Sequence, residues 1–374
     1  MTTFSAVRTT GIYCRPGCGA KPLAENVRTF SLAAAAEAAG YRACLRCRPY
    51  RVAQTVSDEL PELVCRAVQL IIAGVLDGSG EEALGAQLGF SARHLRRIFF
   101  EHLGVTPDQF ARSRRAHFAR RLLDDSDLKI ADVAFAAGFG SLRQFNREMR
   151  EIFRASPREL RDGRRRSDRL VADGGLVLRL PYDPPYDWDA TATFLAAHAI
   201  PGVESVEDGV YRRTVSIDGD PGLLEIGPGG DDHLLLKAHL PYWEGVIHIV
   251  DRAARLAGLH FRPARRGPGA WGPFEVAVGA VVRDQLAEQE AYAVLRKLVE
   301  VHGMPVPGLG HGLTHAFPSA EALAGDELIG PLAQEVAAGN IRFEGQSTEL
   351  LIRSLAEVPG VSVAAACQVA LRVR

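Results

Sequence analysis

The stretch GIYCRPGCGAKPLAENVRTFSLAAAAEAAGYRACLRCRPYR, residues 11–51, sets Cys14 and Cys18 in a CxxxC and Cys44 and Cys47 in a CxxC, with 25 residues between the pairs. Two short loops of this kind each present a pair of thiolates at about 2.3 Å from one tetrahedral metal, so the spacing predicts a zinc ion held by Cys14, Cys18, Cys44 and Cys47. A disulfide framework would call for an export signal, and Met1 is followed by neither a basic stretch nor an apolar run. The other two cysteines, Cys65 and Cys367, lie in apolar helical patterns and are expected to be buried free thiols.

Outward from this segment, a chain of 374 residues, 47% of them hydrophobic, predicts two or three folded, soluble domains. Its most apolar stretch, 67–76, contains Gln69 and is far shorter than the ~20 residues that span a bilayer. No membrane segment is expected, and the cytoplasm is the expected location. The net charge of −1 conceals an asymmetry: residues 1–169 carry 28 Lys and Arg against 19 Asp and Glu, and residues 170–374 carry 16 against 26. The basic excess is concentrated in 93–169, which marks a candidate surface for nucleic acid.

Between residues 60 and 160 the apolar positions recur every three or four residues, and prolines occur only at Pro61, Pro107 and Pro157. This reads as an all-helical domain. Two of its segments share one plan: ALGAQLGFSARHLRRIF, residues 83–99, and IADVAFAAGFGSLRQFNR, residues 130–147. Each predicts a short helix, a Gly-Phe turn with the phenylalanine packed between helices, a serine N-cap and a second helix with polar side chains. That is the pattern of a helix-turn-helix, here twice, joined by a helix over 106–123. The second helices expose Arg93, His94, Arg96 and Arg97 in one unit and Ser141, Arg143, Gln144, Asn146 and Arg147 in the other as candidate contacts to double-stranded DNA. Arginine pairs with guanine edges, glutamine and asparagine with adenine edges, and any cation with phosphates. Side by side, the two helices would enter major-groove segments ~34 Å apart.

The segment GFGSLRQFNREMREIFRASPRELR, residues 138–161, resembles the C-terminal signature of AraC-type transcriptional regulators, and the resemblance covers about 55–161. Residues 11–51 resemble the zinc domain of the Ada methylation-response protein. That second resemblance implies that one zinc-bound thiolate takes a methyl group from a methylphosphotriester in DNA and keeps it, and by motif position the acceptor is Cys14. Metal coordination keeps such a sulfur deprotonated and nucleophilic. Methylation would remove one negative charge near a polyanion and so tighten DNA binding. Arg15, Arg28, Arg46 and Arg48 are the expected phosphate contacts, and a promoter-bound activator of this kind implies RNA polymerase as a further partner.

Beyond a polar, glycine-ended linker at 162–175, the pattern turns to strands at 176–180, 211–217, 222–226 and 233–238, with one helix near 189–198. A Pro/Gly break at 260–270 precedes a largely helical end. The run LPYDPPYDWDATATFLAAHAIPGVESVEDGVYRRTV, residues 180–215, resembles the N-terminal domain of AlkA-type 3-methyladenine DNA glycosylases. GPFEVAVGAVVRDQLAEQEA, residues 272–291, and LAEVPGVSVAAACQVALR, residues 355–372, resemble that family's helical domain and helix-hairpin-helix. The family's catalytic aspartate follows the second hairpin helix, beyond Arg374, so base excision is expected to be lost. Asp284 is the nominal substitute base, with a surface role on its helix preferred. His311 and His315 form an HxxxH in a Gly/Pro-rich loop with no acidic partner nearby in sequence. Glu204, Glu207 and Asp208 read as an acidic turn without a mate.

The expected fold is therefore multidomain, α and α+β. Residues 1–52 form a small zinc domain and 55–161 an all-helical double helix-turn-helix domain. After the linker, 176–260 form an α+β domain like the AlkA N-terminal domain, and 270–374 a partial helix-hairpin-helix domain. The expected function is regulation of the response to DNA alkylation, with zinc as cofactor and DNA as partner. No nucleotide cofactor is expected.

Overall fold

The computed structural model describes residues 3–52, 56–57, 60–259, 261–262 and 268–373; the break expected at 260–270 falls mostly outside them. The N-terminal module is a small sheet in the order β3-β1-β2-β4, built from β1 (Phe4–Val7), β2 (Ile12–Cys14), β3 (Val27–Phe30) and β4 (Arg42–Ala43). The short helix α1 (Ala33–Ala38) precedes β4, and Ala33 to Ala36 are buried because only a small side chain lets a helix lie this close to its neighbours. Strand β5 (Val56–Ser57) follows.

Seven helices come next: α2 (Glu62–Ile72), α3 (Glu81–Leu88), α4 (Ala92–Leu103), α5 (Pro107–Asp125), α6 (Ile130–Ala136), α7 (Leu142–Phe153) and α8 (Pro157–Asp162). Their boundaries follow local chemistry. Thr106 and Gln109 close a capping box around the first turn of α5, and Ser156 and Glu159 do the same for α8.

The α+β region has one antiparallel sheet in the order β6-β10-β9-β8-β7. Its elements are β6 (Leu176–Pro181), α9 (Trp188–Ala197), β7 (Glu204–Glu207), β8 (Val210–Ile217), β9 (Asp220–Pro228), β10 (His233–His239) and α10 (Val246–Leu256). Period-two alternation buries Leu176, Leu178 and Leu180 of β6 and Leu234, Leu236 and Ala238 of β10 on the covered face. Strand β11 (Phe261–Arg262) then pairs in parallel with β5.

The C-terminal part contains α11 (Pro273–Gln285), α12 (Glu288–His302), β12 (Met304–Pro305), β13 (His315–Ala316), α13 (Ala320–Leu323), α14 (Gly330–Ala337), α15 (Thr348–Ala356) and α16 (Val363–Val373). Helix α16 packs on both α11 and α15. Ser362, in the turn between α15 and α16, accepts the backbone N–H of Ala365 at 3.0 Å and so caps α16.

The hydrophobic cores divide the molecule differently from its sequence segments. One core joins Phe4 and Tyr13 of the zinc module, Leu122 and Leu123 of α5, Phe139, Phe145 and Phe153 of the second helix-turn-helix unit, and Leu178, Leu236 and Trp188 of the α+β region. A separate core holds the first unit, with Val64, Leu84, Leu95 and Phe99 around Phe110 of α5. A third lies within the C-terminal helices. Helix α5 thus serves two cores, Phe110 and Ala111 in one and Ala116 to Leu123 in the other.

Three expectations change in three dimensions. Cys65 and Cys367 are half-buried rather than buried. The acidic run has mates. Glu204 accepts the Tyr211 hydroxyl at 2.5 Å and pairs with Arg213 at 3.1 Å, and Glu207 meets His311 at 2.6 Å. These partners come from β8 and from a loop 104 residues away, which no local pattern reveals. His311 therefore does have an acidic partner, across the fold.

Candidate metal centre and nucleic-acid interface

Cys14 ends β2, Cys18 follows in the next turn, and Cys44 and Cys47 flank a tight loop after β4. The parallel pairing of β2 with β4 brings the two loops together. The four sulfurs lie within 4.8 Å of one another, which fits four thiolates at about 2.3 Å from a common centre. Cys14 is buried and the other three are half-buried.

Gathering these sulfurs with no cation is costly, and the thiols show it. Burial first, then the neighbouring sulfurs, pushes Cys14 far above its ordinary value. Burial likewise pushes Cys47 up to about 12, although the Arg15 N–H opposes it. Burial would also raise Cys44, yet the N–H groups of Cys47 and Arg46 bring it below its ordinary value. A divalent cation reverses this electrostatic cost and holds all four as thiolates. The donor set suits zinc, which is the cofactor of this module.

The module is bound to α5 through buried polar groups. Tyr13, beside Cys14, donates its hydroxyl to Glu37 Oε1 at 2.6 Å, and His117 Nε2 of α5 meets the same oxygen at 2.6 Å. Three residues beyond Cys47, Tyr50 donates to Asp124 at 2.9 Å, and Arg51 pairs with Asp125 at 2.8 Å and Asp124 at 3.2 Å. Arg48, expected to contact phosphate, is instead buried, with its backbone at φ 52°, and pairs with Asp168 at 2.5 Å. A guanidinium this enclosed is committed to the fold. Arg28 and Arg46 are exposed, Arg15 is half-buried, and Arg28 lies over the Phe30 ring at 4.8 Å.

Both helix-turn-helix units carry left-handed glycines at their turns, Gly89 at φ 76° and Gly138 at φ 79°, a conformation that costs other residues energy. Ser91 and Ser141 accept the N–H of His94 at 3.3 Å and of Gln144 at 3.2 Å. The two phenylalanines part company. Phe139 is buried against Phe145, whereas Phe90, expected between helices, is 43% exposed and stacks on His94 at 5.1 Å.

The candidate DNA-reading side chains fall into two groups. Arg93 and Arg143, each two residues past its capping serine, are exposed and make no ion pair among the described residues. The rest have intramolecular partners. Arg96 pairs with Glu81, Arg97 with Glu101 at 3.7 Å, and Arg147 with Glu148 at 3.8 Å. Gln144 donates to Glu148 at 3.1 Å and Asn146 to the Leu142 carbonyl at 2.8 Å. His94 is held by its ring stack, and Ser141 is exposed at its cap.

In the C-terminal half, Arg213 is buried and forms a bidentate pair with Glu275 of α11 at 3.0 and 2.8 Å, over the Trp271 ring at 4.8 Å. Nothing in the local sequence marked this arginine, which sits in an ordinary strand pattern. Asp284 is exposed on α11. No helix among the described residues is long and apolar enough to cross a membrane.

Comparison with known proteins places three families along the chain. The metal binding domain of Ada matches residues 2–50, a helix-turn-helix domain 84–163, and the AlkA N-terminal domain 177–265. A Mycobacterium tuberculosis protein named "Probable bifunctional transcriptional activator/DNA repair enzyme AlkA" is 37% identical over 349 residues, which cover 85% of this chain and 69% of that one. "Bifunctional transcriptional activator/DNA repair enzyme Ada" of Escherichia coli is 34% identical over 161 residues, covering 42% of this chain and 44% of that one. Among solved structures, the 3-methyladenine DNA glycosylase from Archaeoglobus fulgidus superposes with a TM-score of 0.44 at 19% identity, covering 51% of this chain and 77% of that one.

Proposed function

This chain belongs to the family of bifunctional transcriptional activator/DNA repair proteins represented by the Mycobacterium tuberculosis protein, and on that footing we propose that it regulates the response to DNA alkylation by accepting a methyl group on Cys14. The observation that carries the proposal is the four-cysteine cluster, built into a module whose Tyr13 and Tyr50 are bonded to the helix joining two DNA-reading units. Zinc, when bound, keeps the sulfurs as thiolates at neutral pH.

Cys14 is the acceptor by its place in the GIYCRP motif. Cys44 and Cys47 accept backbone N–H groups, which draw electron density from those two sulfurs. In the transfer, the Cys14 Sγ lone pair forms a bond to the methyl carbon. The C–O bond breaks, and its electrons leave with the DNA phosphodiester anion. With a divalent cation held by the four thiolates, methylation of Cys14 would remove one negative charge from the cluster, which would ease approach to DNA. Arg93 and Arg143 then carry promoter contacts, and activation implies a surface met by RNA polymerase.

The glycosylase-like half is proposed to lack base excision. Its half-buried carboxylate Glu275 is committed to Arg213, and Asp284 lies in solvent.

The test is intact mass and zinc content before and after incubation with DNA bearing methylphosphotriesters, with peptide mapping and Cys14→Ala as control. A single-methyl gain on Cys14 supports the proposal. Zinc bound with no methyl gained overturns it, leaving a zinc-stabilised regulator, and release of free methylated base would restore glycosylase activity to the second half.

A further inference from the structure

Asp77, between α2 and α3, is where three parts of the molecule meet. Its Oδ1 pairs with Arg115 of α5 at 3.0 Å, and its Oδ2 meets Nε2 of His248, on α10 of the α+β region, at 2.7 Å. The same carboxylate lies against the turn of the second helix-turn-helix unit, so closely that a Cβ on Gly138 would come within 2.9 Å of Oδ2. The other ring nitrogen of His248, Nδ1, is 2.9 Å from the Ile72 carbonyl at the end of α2. A carbonyl and a carboxylate both accept, so the pair of contacts favours the imidazolium, in which both ring nitrogens donate.

The backbone is shaped for this contact. Gly74 has φ 97°, and a Cβ there would sit 2.8 Å from His248 Cε1. Only glycine allows the histidine to reach in this way. The clasp also joins parts that no common core unites. Asp77 and Ile72 belong to the first reading unit, with its own core, while Gly138 and His248 belong to the second unit and the α+β region, which share another. Nearby, Arg114 of α5 pairs with Asp251, one turn from His248.

We infer that the α+β region is a working part of the DNA reader, in which His248, through Asp77, is a positioning residue that holds the first reading helix in register with the second. Two helices entering successive groove segments gain from each other only if their relative placement is fixed beforehand, because a loose pair loses effective concentration. Helix α5 connects the two cores, and so does α1 with Ala33 and Ala36 in one and Ala34 and Ala35 in the other. The clasp supplies a further connection, from the α+β region and away from the α5 axis, which resists rotation. The inference rests on DNA reading by both units, and it assigns the glycosylase-like domain a role that needs no base excision.

The experiment uses the full zinc-loaded chain and a duplex selected by that chain from a random library, with two further duplexes in which either half of the site is scrambled. Wild-type protein is expected to bind the intact duplex well above either half; equal binding to all three would overturn the two-unit reading itself. With that preference established, His248→Ala should lose about tenfold on the intact duplex and stay within about twofold on each half-site. Combining it with Asp77→Ala should add little further loss. Unchanged binding to the intact duplex, or equal losses on all three, would overturn the inference. Should His248→Ala not fold, Asp77→Asn decides: a loss of several-fold confined to the intact duplex supports the clasp, and wild-type binding overturns it.

Discussion

Tyr50 donates its hydroxyl to Asp124 at 2.9 Å, so the chain three residues past the last metal-ligating cysteine is bonded to the end of the helix that joins the two reading units. Asp124 is fully buried and also paired with Arg120 and Arg51. The state of the metal site is thereby coupled to the stability of α5.

Removing zinc with a chelator should accordingly loosen α5 as well as the zinc module, seen as faster hydrogen exchange in both. Tyr50→Phe should cost about 1 kcal/mol with zinc bound, since Asp124 keeps its arginines. If the chelator leaves exchange in α5 unchanged, the coupling is absent.

Arg93→Ala and Arg143→Ala should each weaken promoter binding by about 1–3 kcal/mol, because these guanidiniums are exposed and make no ion pair among the described residues. Arg96→Ala should cost less, since Arg96 must first release Glu81. Titration of the three variants against one promoter duplex at fixed salt checks the order.

His248 offers a pH signature. Burial pulls its pKa down, but the hydrogen bond and charge of Asp77 more than offset this, and the Ile72 carbonyl and Asp251 add to the rise; Arg115 is the opposing cation and Arg114 is neutralised against Asp251. A pKa raised in the folded state contributes stability that is whole below the unfolded value, ~6.5, and is lost as pH rises through the folded value. The stability difference between wild type and His248→Gln should therefore shrink as pH is raised. Thermal melts of both proteins across that range measure it.

Arg213→Ala should destabilise the C-terminal half by about 2–4 kcal/mol, because it leaves the half-buried Glu275 without its bidentate partner and opens a gap where the buried guanidinium lay. Replacing both with apolar residues should recover much of the loss. Denaturant melts of the single and double variants distinguish a structural pair from a catalytic one.

The sequence alone determined the identity of the modules and much of their local form. Cysteine spacing specified a metal site because ligand loops are short-range geometry, and the glycine turns and serine caps of both reading units followed from backbone conformation within a few residues. The strands at 176–180, 211–217, 222–226 and 233–238 and the helix at 188–197 were likewise readable from period-two and helical patterns, whereas Glu204–Glu207, read as an acidic turn, forms the edge strand β7. Tertiary structure alone decided which charges are available. Arg48 looks like Arg46 in sequence, yet one is buried against Asp168 and the other is exposed. Phe90 and Phe139 occupy equivalent turns, yet only one is covered. His248, Asp77 and Gly138 are far apart in the chain and meet through packing between two cores. Such contacts depend on how whole surfaces fit together, and period and spacing carry no information about that fit.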